Sequence, residues 1–289
     1  MRPVTSLYSP ASRPDRLPKA LASGADEVIV DLEDAVLAPK KDEARRHAVA
    51  FLDTMAGLES RPALQVRVNH PRGAYGPADL RAVGMHSALT GPDPVGVRIP
   101  KVDGPDDVEL AIELLGVTTP SPLYCLLESA RGVENAAAIA AHPAVSGIGL
   151  GEADLRAELG LRTEEAFTWV RSRIVVAARA AGLPAPQMAV YVNLTDDAGL
   201  AASCARGREL GMFGRTALHP RQLPVIAAAF TPTAAEAERA REVVAAAEGA
   251  AADGSGALAL PDGRFIDAPL VDAARQVLAL TERLGVRSD

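Results

Sequence analysis

The stretch Val28-Ile-Val-Asp-Leu-Glu-Asp-Ala35 gives the clearest indication of how this chain folds and what it does. A run of apolar residues, typical of a buried strand, leads directly into three carboxylates, Asp31, Glu33 and Asp34. Like charges this close repel one another, and burying them is costly unless cations or hydrogen-bond donors are near. The pattern therefore predicts a strand whose carboxyl end opens into a site that contains a metal ion or positive groups. A second interpretation of Asp34 is that it caps the following helix.

The composition bounds the fold and the class of partner. A chain of 289 residues with 48% hydrophobic residues can form one large α/β barrel or two smaller domains. Its net charge of −7 argues against nucleic acid as a partner, because such binding relies on many contacts from Lys and Arg to phosphates. A small anionic ligand held by a local basic cluster remains compatible with that charge.

The chain also lacks the sequence features of exported or membrane proteins. Polar residues and prolines begin almost at the first residue, and no apolar run approaches the roughly 20 residues that span a bilayer. The two cysteines, Cys125 and Cys204, have neither the number nor the spacing of a disulfide framework or a zinc site. We therefore expect a soluble cytoplasmic protein with no membrane partner.

Short apolar runs alternate with longer amphipathic ones along most of the chain. Because parallel strands need crossover connections, this alternation predicts a parallel sheet covered by helices. Eight strands make a (β/α)8 TIM barrel over residues 1–230 the leading architecture. The predicted strands are residues 6–8, 28–32, 64–68, 95–99, 123–127, 146–150, 188–192 and 211–214. Residues 231–289 are predicted to form a helical extension that packs on the barrel or on a neighbouring subunit.

Active sites of such barrels lie at the carboxyl ends of the strands, and polar residues recur there in this chain. They are Asp31, Glu33, Arg67, Asn69, Lys101, Glu128, Glu152 and Asp154. Glu128 and Asp154 follow adjacent predicted strands and can converge on one ion. Two carboxylates completed by water and substrate oxygens suit octahedral Mg²⁺.

Three further features bear on the site. Arg67 interrupts an apolar strand, and its planar guanidinium needs an anion or a carbonyl oxygen. His219, before Pro220, is compatible with either the rim of the site or a simple turn before a helix. The glycines of Gly147-Ile-Gly-Leu-Gly151 lie in a predicted strand, so they indicate close approach of a ligand rather than a dinucleotide-binding loop.

The chain resembles the citrate lyase β-subunit-like branch of the HpcH/HpaI aldolase family, which includes malyl-CoA and citramalyl-CoA lyases. The resemblance extends in order along nearly the whole chain. It rests on Ser12-Arg-Pro-Asp-Arg16 with Lys19, Ser23-Gly-Ala-Asp26, Asp31-Leu-Glu-Asp-Ala35, Arg67-Val-Asn69, Pro100-Lys101, Leu127-Glu-Ser-Ala-Arg-Gly132, Gly151-Glu-Ala-Asp-Leu155, Ala217-Leu-His-Pro-Arg-Gln222 and Phe230-Thr-Pro232.

The resemblance implies a TIM barrel that cleaves a 3-hydroxyacyl-CoA, such as malyl-CoA, to acetyl-CoA and a 2-oxo acid with Mg²⁺ as cofactor. It also implies a homotrimer or a hexamer. Arg67 and Asp267 are implied as catalytic, Asp267 being supplied by the neighbouring subunit. The resemblance also implies that Glu128 and Asp154 bind the metal and that Arg67, Glu128, Ala153 and Asp154 contact the substrate. Arg13 and Lys19 are implied to bind the CoA phosphates. The implied supporting residues are Asp31, Glu33, Asp34, Lys101 and His219.

Departures from the family pattern leave the substrate open. Ala11 stands where the family usually has glycine, and Gly211-Met-Phe-Gly-Arg215 stands where it usually has Gly-Phe-Asp-Gly-Lys. Met188 and Asn193 occupy the positions of two aspartates that are frequent in strand seven. Two alternatives to a free-standing lyase also stay open. One is a malyl-CoA-type thioesterase, and the other is the β subunit of a citrate lyase-like complex.

Overall fold

The computed structural model describes residues 3–55, 61–89, 93–116, 121–252, 258–259 and 265–284. The chain divides into two compact units, Met1–Ala229 and Phe230–Asp289. The first unit contains the large sheet and all the residues that line the site. That the C-terminal helices pack on the barrel or on a neighbouring subunit stays a prediction.

The first unit is built on a parallel sheet, as the alternating pattern predicts. Its neighbouring strands are in the order β6-β5-β4-β3-β2-β1-β7, and every pair is parallel. The strands are β1 (Thr5–Pro10), β2 (Glu27–Asp31), β3 (Ala63–Arg67), β4 (Gly96–Ile99), β5 (Leu123–Leu127), β6 (Val145–Leu150) and β7 (Arg215–Ala217).

The described residues thus form seven strands of this sheet rather than the predicted eight. The predicted strand at 188–192 is reduced to one bridge between Met188 and Arg215. Beyond Met188 the carbonyl oxygen of Tyr191 accepts from the Gln222 side chain at 2.8 Å rather than from a neighbouring strand, and Val192 is exposed. The predicted strand at 211–214 forms four residues later, at Arg215–Ala217.

Helices separate the strands. In the first unit they are α1 (Leu17–Leu21), α2 (Lys41–Met55), α3 (Gly76–Gly84), α4 (Pro105–Leu115), α5 (Ala130–Glu134), α6 (Ala136–Ala140), α7 (Glu152–Leu159), α8 (Thr168–Ala180), α9 (Asp197–Glu209) and α10 (Leu223–Phe230). The sequence pattern does not predict α7. Its apolar periodicity is weak, because Leu155 is its only buried residue.

Strand register decides which side chains share the concave face of the sheet. Asp31 is opposite Arg67, Arg67 is opposite Arg98, Arg98 is opposite Tyr124, and Tyr124 is opposite Gly147. Paired residues of adjacent strands point to the same side, and these five all line one cavity. The opposite face is aliphatic and fully buried, and it includes Val28, Val30, Val66, Val97 and Ile99.

The second unit consists mainly of α11 (Ala234–Ala252) and α12 (Ala268–Arg283), which pack against each other. Its small core is made of Ala240, Val243, Ile266, Val271 and Ala274. A short antiparallel pair joins β8 (Leu258–Ala259) to β9 (Phe265–Ile266). Among the described residues, we find no helix with the length and apolar character needed to cross a bilayer.

Candidate active site

The innermost contact of the site joins β2 to β3. Arg67 Nε and Nη2 donate to the two carboxylate oxygens of Asp31 at 2.7 and 2.6 Å. The Asp31 side chain is 1% exposed and that of Arg67 is 12% exposed, so the pair is shielded from water. The guanidinium also lies 4.5 Å from the centre of the Tyr8 ring. Arg67 therefore finds its predicted anion within the protein, and only Nη1 is directed elsewhere.

The turn after β2 is fixed by Asp31 as well. Its carboxylate accepts the backbone N–H groups of Glu33 and Ala35 at 2.9 and 3.3 Å. Asp34 stays 60% exposed at its side chain. The following helical turn begins after Leu37 and has no side-chain cap, so the interpretation of Asp34 as a helix cap is wrong.

Two lysines hold Glu33 and its neighbourhood in place. Lys101 forms an ion pair with Glu33 Oε1 and lies 3.5 Å from Asp34 Oδ1. Lys41 donates to the carbonyl oxygens of Leu32 and Glu33, both at 2.8 Å, and to Asn69 at 2.7 Å. Lys41 and Lys101 thus supply positive charge beside the acidic residues, which reduces the cost of burying their carboxylates.

One oxygen of this cluster lacks a hydrogen bond. Glu33 Oε2 is buried and lies 2.9 Å from Arg67 Nη1, but the alignment does not make a hydrogen bond. Burial raises the pKa of Glu33, and the positive charges of Arg67 and Lys101 oppose this effect. Lys101 has a left-handed backbone with φ of 54°, a strained conformation for a residue with a side chain. Strain of this kind clusters at functional sites.

The predicted pair Glu128 and Asp154 is brought together. Glu128 follows β5, and Asp154 lies in the first turn of α7, just after β6. Burial raises the pKa of Glu128 to about 8, and the hydrogen bond that its protonated carboxyl donates to Asp154 adds to this effect. Lys101, with its Nζ 3.9 Å from Glu128 Oε2, acts in the opposite direction.

A divalent cation fits this pair on chemical grounds. Glu128 is buried and its partner Asp154 is exposed, and two carboxyl groups that share a hydrogen bond favour a cation between them, because otherwise one must keep its proton. Within the described parts of the chain, no three side chains of His, Cys, Asp or Glu are grouped closely enough to hold a metal. Glu128 and Asp154 would therefore supply two ligands, and water and substrate oxygens would fill the rest of an octahedral shell.

A buried arginine supports the helix that carries Asp154. Arg171 on α8 is fully buried and donates to both oxygens of Glu152 at 2.7 Å. Its Nη1 donates to Glu164 at 2.7 Å, and Ser203 donates to the same Glu164 oxygen at 2.7 Å. This network fixes the first turn of α7, where Glu152 and Asp154 also interact favourably with the helix dipole.

The site opens into a cavity of about 410 Å³ on the concave face of the sheet. Its lining includes Arg67, Glu128 and Asp154, and also the predicted substrate contact Ala153. Apolar residues form much of the remaining wall; they include Leu126, Ile148, Met188, Val190 and Leu218. The cavity is large enough for a small-molecule substrate.

Four other predicted residues are exposed or make local contacts of their own. Arg13 is exposed and pairs with Asp15 through two contacts of 2.9 Å, and Lys19 is exposed on α1. His219 accepts a hydrogen bond from the N–H of Arg221 at 3.2 Å and caps a short helical turn. This agrees with the interpretation of His219 as part of a turn before a helix. Asp267 is exposed in the second unit and caps α12 through the N–H of Leu270 at 3.1 Å.

Sequence reasoning misses several residues of the cavity and its support. Tyr8 and Arg171 are the clearest cases, because nothing in the local sequence reveals a contact between distant elements. Glu27, Gln65 and Arg98 are polar and buried within apolar strands. The signal that could have found these three is the alternation of faces along a strand. Glu27 is four residues before Asp31, Gln65 is two residues before Arg67, and Arg98 pairs with Arg67 on the next strand.

Comparison with known proteins identifies the family. A model of the HpcH/HpaI aldolase/citrate lyase family matches residues 5–220. The chain belongs to this family. Family members act on CoA thioesters, as the names of the relatives indicate.

Three relatives illustrate how this family member compares with others. A (3S)-malyl-CoA thioesterase of Cereibacter sphaeroides is 38% identical over 282 residues, covering 96% of this chain and 94% of that protein. The citrate lyase subunit beta of Escherichia coli K12 is 33% identical over 297 residues, covering 98% and 94%. An L-malyl-CoA/beta-methylmalyl-CoA lyase of Cereibacter sphaeroides is 30% identical over 308 residues, covering 96% and 94%.

A solved structure is similar over the same extent. The protein CitE from Mycobacterium tuberculosis, in complex with magnesium, acetoacetate and coenzyme A, has a TM-score of 0.78 and 30% identity. The match covers 96% of this chain and 97% of that one. Another CitE structure contains magnesium and pyruvate.

Proposed function

We propose that this protein is a Mg²⁺-dependent carbon–carbon lyase that cleaves a 3-hydroxyacyl-CoA of the malyl-CoA type to acetyl-CoA and a 2-oxo acid. The observation that carries the proposal is the contact between Glu128 and Asp154 beside the Arg67 and Lys101 cations. The family match and the magnesium of the CitE neighbours support it.

The reaction breaks the bond between C2 and C3 of the thioester. The C3 hydroxyl loses its proton, C3 becomes the carbonyl carbon of the 2-oxo acid, and the electron pair of the broken bond forms an enolate on the thioester. A proton added to C2 then gives acetyl-CoA. A bound Mg²⁺ would hold the hydroxyl and carboxylate oxygens and stabilise the developing charge.

The residues of this chain would orient and stabilise the reacting groups. Arg67 Nη1, the one guanidinium nitrogen not bound to Asp31, would donate to the oxygen on C3. Asp31 restricts the guanidinium to one orientation, so this donor is in place before the charge develops. Lys101 adds positive charge on the same side.

The metal assignment can be tested by substituting either carboxylate. Asp154→Asn and Glu128→Gln should each abolish Mg²⁺-dependent turnover of malyl-CoA and weaken Mg²⁺ binding measured by calorimetry. Glu113→Gln, an exposed change on α4, is the matched control. Normal Mg²⁺ titration and turnover in Asp154→Asn would exclude this residue as a ligand.

A thioesterase is the second candidate, favoured by the higher identity to the (3S)-malyl-CoA thioesterase, 38% against 30% for the malyl-CoA lyase. It would hydrolyse the thioester with a water activated at the same site. One experiment separates the two: the purified chain is incubated with malyl-CoA and Mg²⁺, and products are measured by mass spectrometry. Acetyl-CoA with glyoxylate identifies a lyase, whereas free CoA with malate identifies a thioesterase.

The third alternative is a β subunit that acts only within a citrate lyase-like complex. The purified chain would then leave free CoA esters unchanged and turn over only an acyl group attached to a carrier protein. Activity of the single chain on free malyl-CoA excludes this alternative.

We also propose that Asp267 donates the proton to the enolate in the site of a neighbouring subunit of a homotrimer or hexamer. Asp267→Asn keeps the helix cap, because asparagine caps as well as aspartate, but it removes the acid. Mixing inactive Asp267→Asn and Glu128→Gln subunits should restore part of the activity under subunit exchange. Sizing by light scattering measures the assembly, and no recovery despite exchange would place Asp267 outside the shared site.

Arg13 and Lys19 are proposed to contact the CoA phosphates. Their exposure suits ligand contacts near solvent, and Asp15 competes for Arg13. The double variant Arg13→Gln, Lys19→Gln should raise the Michaelis constant for the CoA ester more than it lowers turnover. This difference should shrink as salt rises, since exposed charges are screened.

A further inference from the structure

One aromatic ring of the site contacts two arginines. The centre of the Tyr8 ring lies 4.5 Å from Cζ of Arg67 and 5.9 Å from Cζ of Arg98. Both distances are within the range in which an aromatic face attracts a cation. Arg67 and Arg98 are directly opposite each other in the β3–β4 register, and like charges in such a pair repel. The negative face of the Tyr8 ring helps to offset this repulsion.

Strand β1 places Tyr8 beside the ion pair of Arg67 and Asp31. Tyr8 is opposite Ile29 in the β1–β2 register, so it lies on the face that carries Asp31 two residues further along β2. Tyr8, Asp31 and Arg67 all line the cavity. The ring therefore meets the guanidinium at the surface that a substrate contacts.

The contacts of Arg67 restrain different motions of its guanidinium. Asp31 binds Nε and Nη2 at 2.7 and 2.6 Å, which fixes one edge of the group. A planar group held along one edge can still tilt about that edge, and a ring against its face limits the tilt. Nη1 lies opposite the bound edge, so it moves furthest when the plane tilts. Its contact with Glu33 Oε2 is too poorly aligned for a hydrogen bond and restrains the tilt less.

We infer that Tyr8 is a positioning residue of the reaction. Its ring holds the guanidinium of Arg67 at the tilt from which Nη1 donates to the oxygen on C3, and it affects the reaction only through Arg67. This inference rests on the proposed function for the role of Arg67. The aromatic face is the part of Tyr8 that acts, because the ring makes the contact.

Two substitutions separate the ring from its hydroxyl group. Tyr8→Leu removes the aromatic face, and turnover of malyl-CoA with Mg²⁺ should fall about tenfold, as for the loss of a shielded cation–ring contact. The Michaelis constant should change less, because Nη1 binds the oxygen most strongly as charge develops. Tyr8→Phe keeps the face and should retain near-normal turnover. Wild-type turnover in folded Tyr8→Leu, or an equal loss in Tyr8→Phe, would overturn the inference.

A double-mutant cycle tests whether Tyr8 acts through Arg67. Lysine has no plane to orient, so Tyr8→Leu should lower turnover less than about twofold in an Arg67→Lys background, against about tenfold in the wild type. A loss that is structural in origin would be the same in both backgrounds. Equal losses in the two backgrounds would therefore overturn the inference.

Tyr191→Leu is the matched control for a general loss of packing. The Tyr191 ring lies 5.3 Å from Cζ of Arg215, and Tyr191 is outside the set of residues that line the cavity. This variant should lower the melting temperature without lowering turnover of the folded protein. Equal losses of turnover in Tyr8→Leu and Tyr191→Leu would mean that both act through the fold, and the inference would then be wrong.

Binding measurements separate this inference from the proposed function. If the wild-type protein leaves malyl-CoA unchanged, the proposed function fails, and calorimetry with pyruvate and Mg²⁺ decides the role of Tyr8. The carbonyl oxygen of pyruvate corresponds to the oxygen on C3. Tyr8→Leu should weaken pyruvate binding about threefold in the wild type and leave it unchanged in Arg67→Lys. Equal affinities of Tyr8→Leu and the wild type, or no binding by either, overturn the inference.

Discussion

Gly151 makes room for the carboxyl group of Glu128: a Cβ at position 151 would lie 2.5 Å from Glu128 Cδ and 2.9 Å from its Oε2. Gly151 precedes α7 and thus also sets the start of the helix that carries Asp154. The lack of a side chain at this one position lets the carboxyl group of Glu128, which follows β5, meet that of Asp154 on α7.

Gly151→Ala should therefore impair the site more than the fold. The added methyl group displaces the Glu128 carboxyl, and a displacement of about 1 Å at a reacting centre can lower turnover about 10²-fold. Overpacking should lower the free energy of unfolding by about 1–3 kcal/mol. Turnover and urea unfolding measure both effects. Gly104→Ala is the control, because its nearest neighbour would be an ordinary contact at 3.9 Å; equal turnover in both variants would contradict this account.

The pH dependence of stability should reveal the raised pKa of Glu128. Burial and the contact with Asp154 raise this pKa to about 8, from an ordinary 4.5. Between these values the folded protein keeps a proton that the unfolded chain has released, so the contribution to stability is lost as pH rises through the window. In EDTA, the free energy of unfolding should fall from about pH 5 to 8 and then level off.

Glu128→Gln tests the assignment of that slope. Glutamine cannot ionise, so the variant should lack this part of the pH dependence and be more stable than the wild type at about pH 8. Urea unfolding at several pH values in EDTA measures the difference, and Glu113→Gln should retain the wild-type slope. A slope that survives in Glu128→Gln would mean that another group titrates.

Arg67→Lys should reduce both turnover and stability. Lysine keeps the charge but cannot bind both oxygens of Asp31, which is left partly unpaired in a buried place. The loss of charge-assisted hydrogen bonds should lower the free energy of unfolding by about 2 kcal/mol. Turnover should fall at least about 10²-fold, as on removal of one donor to an oxyanion. Near-normal turnover in the folded variant would restrict Arg67 to its structural pair.

Arg171→Gln should be among the most destabilising single changes in the first unit. It leaves Glu152 and Glu164 without their buried cation, and breaking such a pair costs about 3–5 kcal/mol. The melting temperature should fall, and the affinity for Mg²⁺ should fall with it because the start of α7 loosens. Arg179→Gln on the same helix, where the side chain is exposed, should change neither quantity; equal melting temperatures of the two variants would refute the bracing role.

Local patterns predicted the strands well up to β6. Apolar runs and the helical segments between them are short-range properties, so β2, β3 and β5 formed within one residue of the prediction. The prediction of a strand at 188–192 was wrong beyond Met188, because pairing with β7 stops there and the Tyr191 carbonyl oxygen accepts from the Gln222 side chain instead. Helix α7 was missed because it buries only one residue of its own. Neither feature follows from apolar periodicity.

For the site, the sequence by itself determined which chemical groups gather at the carboxyl ends of the strands. Asp31, Glu33, Arg67, Lys101, Glu128 and Asp154 each follow or end a strand, and parallel strands bring those ends together whatever the details of packing. The motifs by which the chain resembles its family include these same residues. This much is encoded locally, because strand direction fixes the edge at which a residue emerges.

Only the tertiary structure decided which of these groups pair with one another. It directs most of the Arg67 guanidinium to Asp31, brings Glu128 against Asp154 past Gly151, and encloses Arg171 between Glu152 and Glu164. Such contacts join residues far apart in the chain, so they depend on how the strands align and not on any local pattern.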